Sequence, residues 1–124
     1  MKHYLKYPDN YDAVLARTYN NGCGPAGWKG KLVPDTIYGI SIREACKIHD
    51  YMYEVGESYN DKVYADDMFF TNLLATVENE AKWWNRWLNT LRRKRAWIYF
   101  KAVVHGGEDA FNDKVRDNET NEPG

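Results

Sequence analysis

The sequence predicts an all-α domain of two packed antiparallel helices, preceded by an irregular glycine-rich segment and followed by further helices toward the C-terminus. Three observations carry that prediction. Ile42, Ala45, Cys46, His49, Met52 and Tyr53 recur at helical spacing as one stripe, and Val63, Phe70, Leu73, Leu74 and Val77 form a second. Ser41 followed by Glu44 has the capping-box pattern, in which each side chain satisfies an otherwise unpaired backbone amide at a helix start. Asn20 to Gly39 holds five glycines and two prolines, a composition that breaks regular structure.

In chain order, residues 9–19 predict a short first helix, with Tyr11, Val14, Leu15 and Thr18 at helical spacing. The segment from Asn20 to Gly39 is then long and irregular, and loops of that length in small domains usually serve a function. The helix opened by Ser41 should stop near Gly56, and a second should run from about Asp61 to Val77. Trp83 to Leu91 begins a third helical region. Trp97, Tyr99, Phe100 and Val103 read as a further helix ending at Gly106-Gly107, with His105 at its C-terminal dipole. One domain over residues 1–112 and a polar, flexible tail over 113–124 complete the organisation.

At 124 residues, 44% apolar and 28% charged, the chain is long enough to close one core. Its net charge of −1 argues against a bulk polyelectrolyte partner, so no nucleic acid is expected. The average hides an asymmetry: Lys82 to Lys101 holds seven basic residues and no acidic one, while Glu108 to Glu122 is mostly acidic. No stretch has the roughly 20 apolar residues of a membrane span, and residues 1–11 lack the hydrophobic centre of a signal peptide. Two cysteines suffice for one bridge or a shared metal site, which leaves the compartment open.

The stripe on the first long helix places the His49 imidazole against the core, with Asp50 one position round, beside Cys46 and Tyr53. On the second helix, at about 100° per residue, Asp66 falls roughly 35° from the stripe centre and Asp67 roughly 65°. Either carboxylate would be costly there unless paired. Antiparallel packing would let Asp66 meet His49, accept the proton on one ring nitrogen and leave the other to take a proton from water. The plainer alternative is a hydrogen-bonded core histidine with Asp66 in a local salt bridge.

The loop Gly22-Cys23-Gly24-Pro25-Ala26-Gly27 can turn successive carbonyls inward, the ligand chemistry that calcium prefers, with Asp50 as a charged ligand. It lacks the Gly-Lys-Ser/Thr of a phosphate-binding loop. Three other readings use the same residues. A zinc module could draw on Cys23, Cys46, His49 and Asp50, although zinc sites favour closer cysteine pairs. A thiol hydrolase could pair Cys46 with His49. The basic, aromatic third helix could bind nucleic acid, which would leave the His-Asp block unexplained.

The glycine loop, the block Ala45-Cys46-Lys47-Ile48-His49-Asp50-Tyr51-Met52-Tyr53 and the later Ala65-Asp66-Asp67-Met68-Phe69 together resemble the calcium loop, catalytic helix and second carboxylate helix of the phospholipase A2 family. The resemblance spans about residues 20–75. With at most one disulfide, it points to the sparse-disulfide bacterial or viral type. It implies His49 as the base that activates water for attack on the sn-2 ester of a glycerophospholipid, with Asp66 orienting it and Tyr53 hydrogen-bonded to that carboxylate. It implies Ca2+ held by Asp50 and the carbonyls of Gly22, Gly24 and Ala26, with the Gly24 amide as a further oxyanion donor. It also implies a Cys23–Cys46 disulfide and favours a secreted or virus-associated setting. Asp66 is preferred over Asp67 on the family's Asp-x-x-Phe spacing and on the stripe geometry.

Trp83, Trp84, Trp87, Leu88 and Leu91 lie among Lys82, Arg86, Arg92, Arg93, Lys94 and Arg95, a mixture suited to peripheral contact with an anionic membrane surface. Trp83, Arg92, Arg93, Lys94 and Arg95 are the interface candidates. Trp84, Trp87 and Leu91 could equally cover the two-helix core.

Overall fold

The computed structural model describes residues 2–19 and 34–120, and its secondary structure is mostly helical, in line with the all-α expectation. Helix α1 (Ala13–Tyr19) is followed by strands β1 (Thr36–Ile37) and β2 (Ile40–Ser41), helices α2 (Arg43–Val55) and α3 (Tyr59–Glu80), a 3-10 turn over Trp83–Leu88, and helix α4 (Asn89–Thr120). Helix α3 is central and packs on both α2 and α4. A three-residue connection, Gly56 to Ser58, forces α2 and α3 to run antiparallel.

The capping box forms elsewhere than the sequence suggests. Helix α2 starts at Arg43 after Ile42, with no side-chain cap, because Ser41 is held in β2 opposite Thr36. The reciprocal cap is on α3: the Asp61 amide donates to Ser58 Oγ at 3.2 Å, and the Ser58 and Glu57 amides donate to Asp61 Oδ2 at 3.1 and 2.9 Å. Gly56 ends α2 as expected, for a reason of space. Its φ is an ordinary −73°, but a Cβ there would lie 2.8 Å from the Met52 carbonyl oxygen.

Part of the supposedly irregular segment is a hairpin. β1 and β2 pair antiparallel, Thr36 with Ser41 and Ile37 with Ile40, around Tyr38 and Gly39 at φ +41° and +84°. Two left-handed residues in a two-residue connection suit the strand twist. The hairpin is fastened to α4 by the Tyr99 hydroxyl, which donates to the Thr36 carbonyl at 3.1 Å.

Two apolar clusters flank the α2–α3 contact. One joins Ile37, Ile42, Ala45 and Cys46 to Phe69, Leu73 and Val77 of α3 and to Ala96, Tyr99 and Val103 of α4. The other joins Leu5 and Ala16 to Ile48, Tyr51, Met52, Ala65 and Met68. The expected α3 stripe is rotated: Val63 is exposed, and the buried face carries Lys62, Asp66, Asn72 and Thr76 beside Phe69, Leu73 and Val77. Enclosure on several sides explains this, since each of these polar groups finds a partner. The Asn72 side chain accepts from the Lys6 amide at 2.7 Å and donates to the Lys6 carbonyl at 2.9 Å, pinning the N-terminal segment to α3. Thr76 Oγ1 donates to the Asn72 carbonyl at 2.7 Å.

Helix α4 continues through Gly106-Gly107, where the sequence suggests an end, and its backbone is helical over residues 113–120, read above as a flexible tail. Each glycine inside a helix costs about 1 kcal/mol, and no proline lies between this pair and Pro123 to end the helix. His105 is thus inside a helix, exposed, and not at a C-terminal dipole.

Candidate active site

His49 lies two turns into α2 and faces α3, where His49 Nε2 and Asp66 Oδ1 are 2.7 Å apart. The Tyr53 hydroxyl donates to the same carboxylate oxygen at 2.8 Å. Residues 49 and 53, one turn apart on α2, thus converge on a single atom of α3. Phe69 and Tyr53 flank the imidazole, with ring centroids 4.8 and 4.3 Å away. The ring is only 2% exposed.

The second carboxylate oxygen has a partner that the sequence reading missed. Lys62 Nζ donates to Asp66 Oδ2 at 2.7 Å and to the Val104 carbonyl at 3.3 Å, so the buried ammonium also ties α3 to α4. The one signal in the sequence was the i,i+4 spacing of Lys62 and Asp66. That signal is weak, because a lysine N-terminal to its acid is the less favourable order on a helix.

Burial by itself would raise the Asp66 carboxyl, yet the bonds from His49, Lys62 and Tyr53 hold it below its ordinary value, so it is the anion of the group. Burial lowers His49 and outweighs the opposing pull of Asp66, with Lys62 adding to the lowering. The imidazole is therefore neutral near pH 7. With Nε2 committed to Asp66 as donor, the basic lone pair of that tautomer is on Nδ1.

Asp67, the other carboxylate considered, is exposed and faces away from this group. Asp50 is half-buried, and burial, followed by Glu54 one turn on, pushes its carboxyl up to about 7. A hard divalent cation beside such a carboxylate would favour its ionised form. Gly22, Gly24 and Ala26 lie outside the described residues. Among the described residues, no three His, Cys, Asp or Glu side chains converge as a metal cage.

Cys46 is buried and is not a free thiol, which removes the nucleophile from the thiol-hydrolase alternative. Cys23 lies outside the described residues. Of the surface candidates, Trp83, Arg93, Lys94 and Arg95 are exposed, and so are Trp84, Trp87 and Leu91, which do not cover the core. Arg92 is the exception. At 1% exposure it is no interface residue, and its guanidinium donates to Asn85, Asn89 and the Tyr38 carbonyl. It faces inward because α4 buries the stripe of Arg92, Ala96, Tyr99 and Val103.

No family model, curated protein or solved structure matches the chain.

Proposed function

We propose that the chain is a calcium-dependent ester hydrolase of the phospholipase A2 type, which cleaves the sn-2 ester of a glycerophospholipid to fatty acid and lysophospholipid. The observation that supports this best is the buried His49–Asp66 pair at 2.7 Å, with Tyr53 on the same oxygen. An anchored carboxylate fixes the tautomer and orientation of an imidazole that must work as a base.

In this reading Asp66 stays ionised and holds the proton on Nε2, while Nδ1 takes the proton of a water as its oxygen adds to the ester carbonyl. The same nitrogen then returns that proton to the departing glycerol oxygen. Lys62 keeps Asp66 anionic, and Tyr53 fixes its rotamer. Asp50 and the carbonyls of Gly22, Gly24 and Ala26 would hold calcium, which supplies stabilising charge for the substrate phosphate and the developing oxyanion. The Gly24 amide would be the further oxyanion donor. A Cys23–Cys46 bridge would tie that loop to α2.

Fatty-acid release from phospholipid vesicles, with and without calcium, tests the proposal. Activity should require calcium and fall about 10²- to 10⁴-fold in His49→Gln, the usual contribution of a general base. Asp50→Asn should remove the calcium dependence along with the activity. Hydrolysis that survives both substitutions would reject the assignment.

The enclosure of His49 favours a second reading, in which His49, Asp66, Lys62 and Tyr53 are only a polar knot that fixes the register of α2 on α3. That reading predicts no ester hydrolysis by the native chain, together with a large loss of stability in His49→Gln.

A further inference from the structure

The turn over Trp83–Leu88 buries none of its residues. Trp83, Trp84 and Trp87 are 84%, 62% and 74% exposed. Together they leave on the order of 400 Å² of aromatic-bearing surface in water, comparable to the largest patch on a typical monomer. Leu91 and Ile98, seven residues apart and therefore on one face of α4, extend it.

The charge around these rings is mainly positive, with Glu78 and Glu80 as the nearby carboxylates. Arg93 pairs with Glu78 at 3.5 Å and Arg95 lies over the Tyr38 ring, but Lys82, Arg86 and Lys94 are exposed and make no ion pair among the described residues. We propose that the Trp83–Leu88 turn and the start of α4 form a docking surface for an anionic lipid interface, with the indoles entering the headgroup region and Lys82, Arg86 and Lys94 facing the lipid phosphates.

Three features favour lipid over other occupants. Tryptophan has an apolar body and a polar N–H, and it settles where hydrocarbon meets water. The three indoles line neither the depression of Pro8, Met52 and Tyr64 nor that of Lys6, Val63 and Asp67, whereas single-stranded nucleic acid is bound in grooves that track its backbone. The turn is also held in place. Arg92 Nη1 donates to Asn85 O and Oδ1, both at 3.2 Å, and to Asn89 Oδ1 at 2.9 Å, while Nη2 donates to the Tyr38 carbonyl at 2.8 Å. A fixed turn presents its rings with little further ordering cost on binding. Among the described residues no helix is long and apolar enough to cross a membrane, so contact through this surface would be peripheral.

The surface deepens the hydrolase reading by naming where a bilayer substrate is met, but its test does not depend on catalysis. Native protein in chelator, which withholds the calcium that hydrolysis would require, is sedimented with vesicles of equal parts phosphatidylglycerol and phosphatidylcholine, and with phosphatidylcholine alone. Binding should be strong only to the anionic vesicles and accompanied by a blue shift of tryptophan emission. Replacing Trp83, Trp84 and Trp87 by Ala should reduce it at least about tenfold. Each Gln at Lys82, Arg86 or Lys94 should cost about fivefold.

Hydrolysis of a monomeric short-chain phospholipid by otherwise native protein carrying the Trp changes should be unaffected. Absence of that activity from the native chain would condemn the hydrolase reading and leave the surface standing. No vesicle binding, binding indifferent to the Trp changes, tryptophan-dependent binding of a single-stranded oligonucleotide in place of vesicles, or a dimer that the Trp changes dissociate would each overturn the docking proposal.

Discussion

Around His49, polar side chains are taken out of water and the carboxylate has three donors, whereas along Trp83–Leu88 three large aromatic rings are left in it. The first arrangement is costly because charges lose their hydration, and it persists only where partners replace the lost water. The second forgoes apolar burial that a folding chain would ordinarily take. The two regions break the same rule in opposite directions, and neither is what stability alone would select. Under the two proposals above, the buried pair fixes the geometry of a base and the uncovered aromatic turn meets a lipid surface. Arg92 is instructive between them, since it belongs to the basic run by sequence but to the buried polar class by position.

The largest expected effect lies in the buried network. Asp66→Ala leaves Lys62 buried without its carboxylate and should destabilise the fold by about 3–5 kcal/mol in chemical denaturation. If the network exists for chemistry and not for stability, Lys62→Met with Asp66→Leu should recover much of that loss in stability but none of the hydrolysis. Part of the pH dependence follows from the same carboxylate, and the lowered His49 adds a loss of stability as pH falls below its ordinary 6.5. The folded pKa of Asp66 is lowered from 3.8, so its stabilising contribution is complete above that value and is lost as pH falls through the lower folded value. Asp66→Asn should therefore flatten the acid limb of thermal unfolding, and an unchanged limb would place the acid sensitivity elsewhere.

A smaller effect is expected one hydrogen bond away. Tyr53→Phe keeps the ring beside His49 and removes one of three donors to Asp66, for about 1 kcal/mol of stability. A loss several times larger would show that the tyrosine holds the pair together. The smallest effect belongs to the other region. Replacing Trp83, Trp84 and Trp87 by Ala should change unfolding free energy by no more than about 0.5 kcal/mol per site, as for exposed positions generally. A marked fall in the melting midpoint would erase the contrast by showing that these rings support the fold.

Near His49 much was legible in the sequence. The stripe of Ile42, Ala45, Cys46, His49 and Met52 is buried as its spacing implies, with its last member Tyr53 half-buried, and Asp66, near the centre of its own stripe, meets the imidazole where Asp67 does not. Lys62 was not legible, because a lone lysine in a helix reads as a solvated side chain until a carboxylate and a carbonyl are seen to enclose it. Ser41-Glu44 and Ser58-Asp61 show the same limit. Both segments have cap-forming residues, and the pairing of Ser41 with Thr36 in the hairpin decided which one caps a helix.

What the sequence determined by itself is local and periodic: helices where apolar residues recur at 3.6, a stop at Gly56, and a histidine on the inner face of its helix. Tertiary structure alone decided what lies opposite each residue. It turned the polar set Lys62, Asp66, Asn72 and Thr76 inward and left Val63 and three tryptophans outward. The physical reason is that burial is a property of pairs of surfaces. A polar group is tolerated inside when another element carries its partner, and an apolar one remains outside when no element among the described residues covers it.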